Sequence, residues 1–129
     1  MWFWMLLIFF VSHQNNENLE NPVNWFSQLL ENLNIAIPFD KVAHFGVYGI
    51  LGITAFIAWP KSPLKAIAVC VAYGLSDEIH QMFIPGRSCD PWDWLADSLG
   101  ACVAVLLLTI TTPLISERMN RYKAENKLD

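Results

Sequence analysis

Long apolar runs alternate with short polar segments along this chain of 129 residues. Three runs, at residues 42–59, 64 to about 84 and 92 to about 115, are each near the ~20 residues that a helix needs to cross a bilayer. Loops rich in proline and lysine separate them. The pattern therefore predicts three membrane-spanning helices.

A fourth apolar run occupies residues 1–12. At helical rise it is about 18 Å long, short of the ~30 Å hydrocarbon core. It is expected to be a short first crossing whose start is truncated. A cleaved signal peptide is the alternative, but the run has no basic segment before it and no small-residue cleavage site.

Between the first two crossings, residues 25–33 place apolar side chains at helical spacing with polar ones opposite, which predicts a short helix lying in the membrane interface. In the next run, Gly46, Gly49 and Gly52 repeat every three residues, a spacing that lets a neighbouring backbone approach closely. The expected fold is an all-α, polytopic membrane bundle of about four transmembrane helices plus the interfacial helix. It forms one domain, residues 1–129.

Composition supports this class, because 54% of the residues are hydrophobic. The net charge of -4 argues against nucleic acid as a partner, since there is no basic stripe to contact phosphates. The three cysteines show no metal-binding spacing, and Cys70 and Cys102 lie in apolar runs as packing residues. A disulfide framework is therefore not expected.

Basic residues predict the orientation. Six of the eight lie in the loop after residue 59 and in the polar tail, residues 116–129, and both segments are placed in the cytoplasm by the positive-inside rule. Both termini are then cytoplasmic in a multi-pass cell-membrane protein. Residues 13–41 and 85–91 face the extracytoplasmic side, with Lys41 and Arg87 as their basic residues.

Polar residues at the end of the third crossing conflict with its apolar character. Asp77, His80 and Gln81 share one helix face, while Glu78 points about 100° away. A carboxylate one turn from an imidazole fixes its tautomer, as a general base or a metal-binding histidine requires. The alternative is a hydrated helix end whose charges reach the headgroups, but the aspartate side chain is short for that.

Two further pairs open the neighbouring helices. Asp40 and His44 are one turn apart, and Asp40 could also simply cap the helix. Asp93 and Asp97 are likewise one turn apart, and because like charges repel they need a cation, a protonated partner or water, although the helix N-terminus also favours Asp93. Arg87, in a Pro-Gly turn, suits a phosphate or carboxylate, unless it is a solvated loop charge.

Two strings, DKVAHFGVYGILG and YGLSDEIHQMFIPGRSCDPWDWLADSLGA, closely resemble the VanZ-like family of small membrane proteins over residues 40–101. Asp97 departs from the family pattern, where many members have Asn. The resemblance implies an association with low-level teicoplanin resistance and a proposed action on lipid headgroups or lipid-linked cell-wall intermediates. It marks as motif positions Asp40, Lys41, His44, Asp77, Glu78, Gln81, Arg87 and Asp93, and His80 also fits.

One hypothesis is a transferase or hydrolase acting on a phosphate-bearing lipid headgroup. In it, Lys41, Arg87 and Gln81 bind the substrate. His80 or His44 acts as base or nucleophile, oriented by Asp77 or Asp40. Glu78, Asp93 and Asp97 hold a divalent cation.

Two alternatives require no chemistry. The protein could be a non-catalytic binder of lipids or lipid-linked precursors that uses Lys41 and Arg87 as anion clamps. It could also be a structural bundle in which Asp77 or His80 bonds across to His44, although polar contacts between membrane helices contribute only about 0.6 kcal/mol each.

Overall fold

The computed structural model describes residues 1–13 and 39–125, which form four helices. These are α1 (Trp2–Ser12), α2 (Phe39–Ala58), α3 (Pro63–Gln81) and α4 (Pro91–Glu125). No strand occurs in this described part, so the all-helical fold with a short, apolar first helix is confirmed. The predicted interfacial helix at residues 25–33 lies outside the described residues.

Local sequence sets the helix ends around the site. Pro63 opens α3 at its first turn, where the missing N–H removes no helical bond. After α3, Gly86 takes a left-handed φ of 79°, and the Arg87 N–H donates to the Ile84 carbonyl at 3.1 Å. Asp90 then caps α4, because its Oδ1 accepts the Trp92 N–H at 2.9 Å. This short turn holds the end of α3 beside the start of α4.

Helix α4 extends about ten residues beyond the predicted end near residue 115, into the segment predicted as a polar tail. Its 35 residues span about 52 Å, more than the ~30 Å core, so one end must project from it. The helix also passes through Pro113, which has no N–H to donate to Thr109. The sequence prediction made this helix shorter, because the apolar pattern that marks it ends where the polar residues begin.

Close backbone contact joins α2 to α4. A Cβ on Gly52 would lie 2.8 Å from the Ala101 carbonyl oxygen, and one on Gly100 would collide with the Phe45 carbonyl. The predicted close approach therefore occurs at Gly52, whereas Gly46 faces open space. Helix α3 packs against both helices. The buried apolar residues of this seam are Tyr48, Leu51, Ala55, Ala101 and Val105.

Helix α1 lies against α2 and α3 through side-chain hydrogen bonds to backbone carbonyls. Trp4 Nε1 donates to the Val47 carbonyl at 2.9 Å, and the Tyr73 hydroxyl donates to the Met5 carbonyl at 2.6 Å. Ile8 is 4% exposed and completes the contact. The end of α1 is thereby placed beside the end of α3.

The outside of the bundle is apolar. In α2 and α4, Ile57 and Ile110 are 70% and 62% exposed, as expected for side chains in contact with lipid. Both helices are long and apolar enough to cross a membrane. Helix α3 is not one of these two spans, because three charged residues, Lys65, Asp77 and Glu78, lie within its 19 residues. Two such helices with an apolar exterior are typical of a membrane protein.

Candidate functional site

A buried polar cluster lies where the ends of α1 and α3 meet the starts of α2 and α4. Because α2, α3 and α4 are joined by short connections, the start of α2, the end of α3 and the start of α4 fall at one end of the bundle. Carboxylates, amide and hydroxyl groups are buried there, in contrast with the apolar exterior. The buried polar residues are Ser12, Asp77, Glu78, Gln81, Asp93 and Asp97.

His44 and Asp97 form the centre of this cluster. His44 Nδ1 lies 2.9 Å from Asp97 Oδ1, and His44 Nε2 lies 3.9 Å from Asp93 Oδ1. Asp97 is fully buried. The carboxylate that orients His44 thus comes from α4, and not from Asp40, the residue one turn away on α2. An imidazole that donates Nδ1–H to a carboxylate presents Nε2 as a base or ligand.

Lys41 is surrounded by carboxylates. Its Nζ lies 2.5 Å from Asp90, 2.6 Å from Asp93 and 3.1 Å from Asp40. The hydrogen bond from Lys41 lowers the pKa of the Asp90 carboxyl below its usual range. These ion pairs connect the start of α2 to the start of α4. They also occupy the three donors of the ammonium group, so an anion can bind Lys41 only by displacing a carboxylate.

Glu78 is buried between these groups and is 1% exposed. Its Oε2 accepts the Asp90 N–H at 2.9 Å. Glu78, His44 and Asp97 each offer one ligand atom, and these three atoms lie within 4.8 Å of one another. Three helices therefore bring one imidazole and two carboxylates together, a set able to hold a metal ion.

Asp77 and its neighbours face α1. The Ser12 hydroxyl donates to Asp77 Oδ2 at 2.9 Å, and Gln81 Nε2 lies 3.4 Å from the same oxygen. His80 stacks on Phe9 with ring centroids 4.7 Å apart, and its Nε2 lies 3.3 Å from His13 Nδ1. The hydrogen-bond partner of His80 is therefore His13, and Asp77 is bonded elsewhere.

The predicted residues thus fall into an inner and an outer set. The inner set, at the meeting of α2, α3 and α4, consists of Lys41, His44, Glu78, Asp93 and Asp97. Asp77, Gln81 and His80 lie towards α1. The Asp40 side chain is 57% exposed at the rim, and Arg87 lies half-buried in the turn three residues before Asp90.

Two residues at the cluster, Tyr48 and Gly74, were absent from the sequence prediction. Tyr48 is 1% exposed, and its hydroxyl has no hydrogen-bond partner among the described residues. A Cβ on Gly74 would lie 3.4 Å from Asp97 Oδ2, so glycine there leaves room for that carboxylate. Both positions are one helical turn from a predicted residue, Tyr48 after His44 and Gly74 before Glu78. That spacing is the signal that could have found them.

Comparison with known protein families matches residues 1–112 to the family described as VanZ/LLP1. The match includes all ten predicted site residues and confirms the resemblance seen over residues 40–101. It also extends to the N-terminal apolar helix. No curated protein and no solved structure matches the chain.

Proposed function

Given that the chain belongs to the VanZ/LLP1 family, we propose that it is a multi-pass membrane enzyme acting on a phosphate-bearing lipid headgroup or a lipid-linked envelope precursor. VanZ-like proteins are linked to glycopeptide resistance, which directs attention to the cell envelope. The proposed reaction class is hydrolysis or transfer of the headgroup at the membrane surface.

The position of the polar cluster supports a site at the edge of the bilayer. The cluster lies at the end of apolar helices, where a headgroup can reach it while the acyl chains remain in the hydrocarbon region. The two segments at the opposite side of the proposed topology, residues 59–65 and 116–129, contain six of the eight basic residues. By the positive-inside rule the cluster then opens to the extracytoplasmic side.

The observation that carries the proposal is the His44–Asp97 pair, in which Asp97 is buried and His44 is half-buried. A carboxylate at 2.9 Å from Nδ1 orients the ring and raises the basicity of Nε2, which is the arrangement of a general base or nucleophile. We assign this role to His44 in preference to His80. His80 is stacked on Phe9 and bonded to His13 at the α1 side, away from the inner carboxylates that surround His44.

Lys41 and Arg87 are proposed to bind the phosphate. Lys41 must exchange one carboxylate partner for the substrate, and Asp40 is the one at the longest distance and with the most exposed side chain. A phosphate that replaces Asp40 at Lys41 would lie at the rim, one helical turn from His44. Arg87, in the turn beside Asp90, supplies a planar guanidinium suited to phosphate oxygens.

Turnover of lipid substrates tests the proposal. Wild-type protein in lipid nanodiscs is incubated with a panel of labelled phosphate-bearing lipids, with and without added divalent cations. Loss of a general base costs about 10²–10⁴-fold, so His44→Gln should lose at least about 100-fold in rate. His80→Gln is the matched control and should retain activity. Absence of wild-type turnover across the panel, or equal rates for wild type and His44→Gln, would overturn the assignment.

A non-catalytic binder is the second candidate, and the contacts of His44 favour it, because both ring nitrogens already face carboxylates, Asp97 at 2.9 Å and Asp93 at 3.9 Å. A binder predicts labelled lipid that is retained by wild type and by His44→Gln alike, with no product formed. Retention of labelled lipid without product would therefore reject the enzyme hypothesis and support the binder.

A further inference from the structure

We propose that His44, Glu78 and Asp97 form a binding site for one divalent transition-metal cation of the Zn²⁺ or Mn²⁺ class. The site rests on the proposed function for its role and deepens it. Because His44 Nδ1 is bonded to Asp97, His44 would bind the cation through Nε2, and a water on the cation would then serve as base or nucleophile in place of the free imidazole. The binding itself is measured without any lipid substrate. It also differs from the sequence prediction, since His44 takes the place of Asp93.

The geometry gives one ligand from each of three helices. The three ligand atoms lie within 4.8 Å of one another. Metal bonds of about 2.0–2.2 Å place the ligands of a tetrahedral ion at about 3.4 Å from one another, so modest side-chain rotations bring this set to bonding distance. Asp93 does not belong to this set of atoms, and its Oδ1 is held at 2.6 Å by Lys41.

Two buried oxygens point to a missing positive partner. Glu78 Oε1 and Asp97 Oδ2 have no hydrogen-bond partner among the described residues. Both residues are buried, with exposures of only 1% and 0%. A buried acceptor without a donor is unfavourable, and a buried anionic one more so. One cation between the two carboxylates would satisfy both oxygens. The Tyr48 hydroxyl, buried and equally without a partner, is a further oxygen in the cluster.

Charge balance supports the same conclusion. Lys41 is engaged by Asp40, Asp90 and Asp93 and does not pair with either free oxygen. Metal binding requires ionised carboxylates and a neutral imidazole, and these three ligands then have an excess negative charge of two. A divalent cation cancels that excess, whereas a monovalent ion cancels half of it.

The donor set selects the class of metal. Carboxylate oxygens suit Mg²⁺, Ca²⁺ and Mn²⁺, and an imidazole ligand shifts preference towards Zn²⁺, so this mixed set suits Zn²⁺ or Mn²⁺. Groups around the ligands are also in place to orient them. The Asp90 N–H fixes the other oxygen of Glu78 at 2.9 Å, and Asp97 Oδ1 is held by His44 Nδ1 at 2.9 Å. Glycine at position 74 leaves space next to Asp97 Oδ2.

Direct binding measurements test the site. Purified protein in mild detergent is stripped with a chelator and titrated with Mn²⁺ and with Zn²⁺, following heat by calorimetry and free Mn²⁺ by electron paramagnetic resonance. One ion per chain is expected. Glu78→Gln and Asp97→Asn should weaken binding by more than about 100-fold, since outer-shell changes alone cost 10–100-fold. Glu117→Gln, an exposed acid-to-amide change on α4, should bind as wild type does.

A measurement without substitution guards against variants that misfold. Stripped wild-type protein should gain thermal stability when Mn²⁺ or Zn²⁺ is added, because the ion binds the folded state. Absence of a Tm increase together with absence of calorimetric binding would overturn the metal site. So would equal affinity in wild type, Glu78→Gln and Asp97→Asn.

The outcome for the metal is separable from the outcome for the enzyme. Metal binding without any lipid turnover keeps the site and rejects the proposed reaction. Full turnover by protein that is shown to be free of metal keeps the reaction and rejects a role of the cation in it, whereas the site itself is decided by the binding measurements.

Discussion

The contact between α2 and α4 has two halves of opposite character. In the half farther from the polar cluster, Gly52 and Ala101 bring the two backbones together, and Leu51 and Val105 are buried beside them. At the other half, the same helices face each other with ion pairs, such as Lys41 with Asp93 and His44 with Asp97.

The apolar half shows that these helices need no charges to associate. Small residues there allow close van der Waals packing, which is the usual source of association between membrane helices. The polar half places acids at the end of the same apolar contact and leaves Glu78 Oε1 and Asp97 Oδ2 without a partner among the described residues. Unpaired buried charge adds no stability, so a functional role accounts for the polar half better than a structural one.

The largest expected effect on stability belongs to the apolar half. Gly100→Ala places a Cβ against the Phe45 carbonyl, so the helices must separate, and the apparent free energy of unfolding should fall by about 3 kcal/mol. Gly46→Ala is the matched control, because nothing lies within 4 Å of its Cβ and alanine favours the helix. Unfolding in mild detergent measures both. Equal stability of the two variants would contradict the close contact.

Removal of Lys41 should give the next largest effect. Lys41→Met leaves Asp90 and Asp93 facing each other without a cation, and Lys41 is only about one-fifth exposed. Partial exposure screens the charges, so the expected loss is about 1–2 kcal/mol. Lys65→Met, at the opposite end of α3 over the Trp59 ring, is the control and should lose less. The same loss in both variants would reject the ion-pair network.

A double-mutant cycle tests the pairing at the centre. His44→Gln and Asp97→Asn should show a coupling energy of about 1 kcal/mol, because either substitution alone already removes the part-buried hydrogen bond between the two side chains. The equivalent cycle of His44→Gln with Asp40→Asn should give coupling near zero, since Asp40 is exposed at the rim. Stronger coupling of His44 to Asp40 than to Asp97 would show that Asp40 is the carboxylate that pairs with His44.

The smallest effect concerns the link to α1. Ser12→Ala removes the buried hydrogen bond to Asp77 and should cost about 0.6 kcal/mol, the average for polar contacts between membrane helices. Ser76→Ala removes an exposed bond to the Tyr73 carbonyl and should change stability little. Thermal melts of both proteins make the comparison, which fails if Ser76→Ala is the more destabilised of the two.

The sequence was sufficient for the helices because hydrophobic runs of bilayer length are a strong local signal. It was weaker at α4, where the polar residues after position 115 stay helical, and local pattern does not record that continuation. The regular spacing of the three glycines of α2 suggested that all of them allow a neighbouring backbone to approach closely. Only the structure separates Gly52, at the contact, from Gly46, in open space, because rotation of one helix against another is set by packing.

The contacts of the candidate site could also be predicted only in part. Spacing along one helix indicated which polar residues share a face. It placed Asp77 and Gln81 together, and Gln81 Nε2 does lie 3.4 Å from Asp77 Oδ2. The partner of His44 is on α4, and no spacing within α2 can identify a residue on another helix. Asp90 was likewise missed as a partner of Lys41, since it lies 49 positions away in the chain.

The most direct test of the central claim is the rate of headgroup turnover by wild type, His44→Gln and His80→Gln in the same lipid nanodiscs. The polar half of the bundle, centred on His44 and Asp97, predicts turnover by wild type and His80→Gln and a loss of at least about 100-fold in His44→Gln. Equal turnover by wild type and His44→Gln, or activity lost only in His80→Gln, would contradict it.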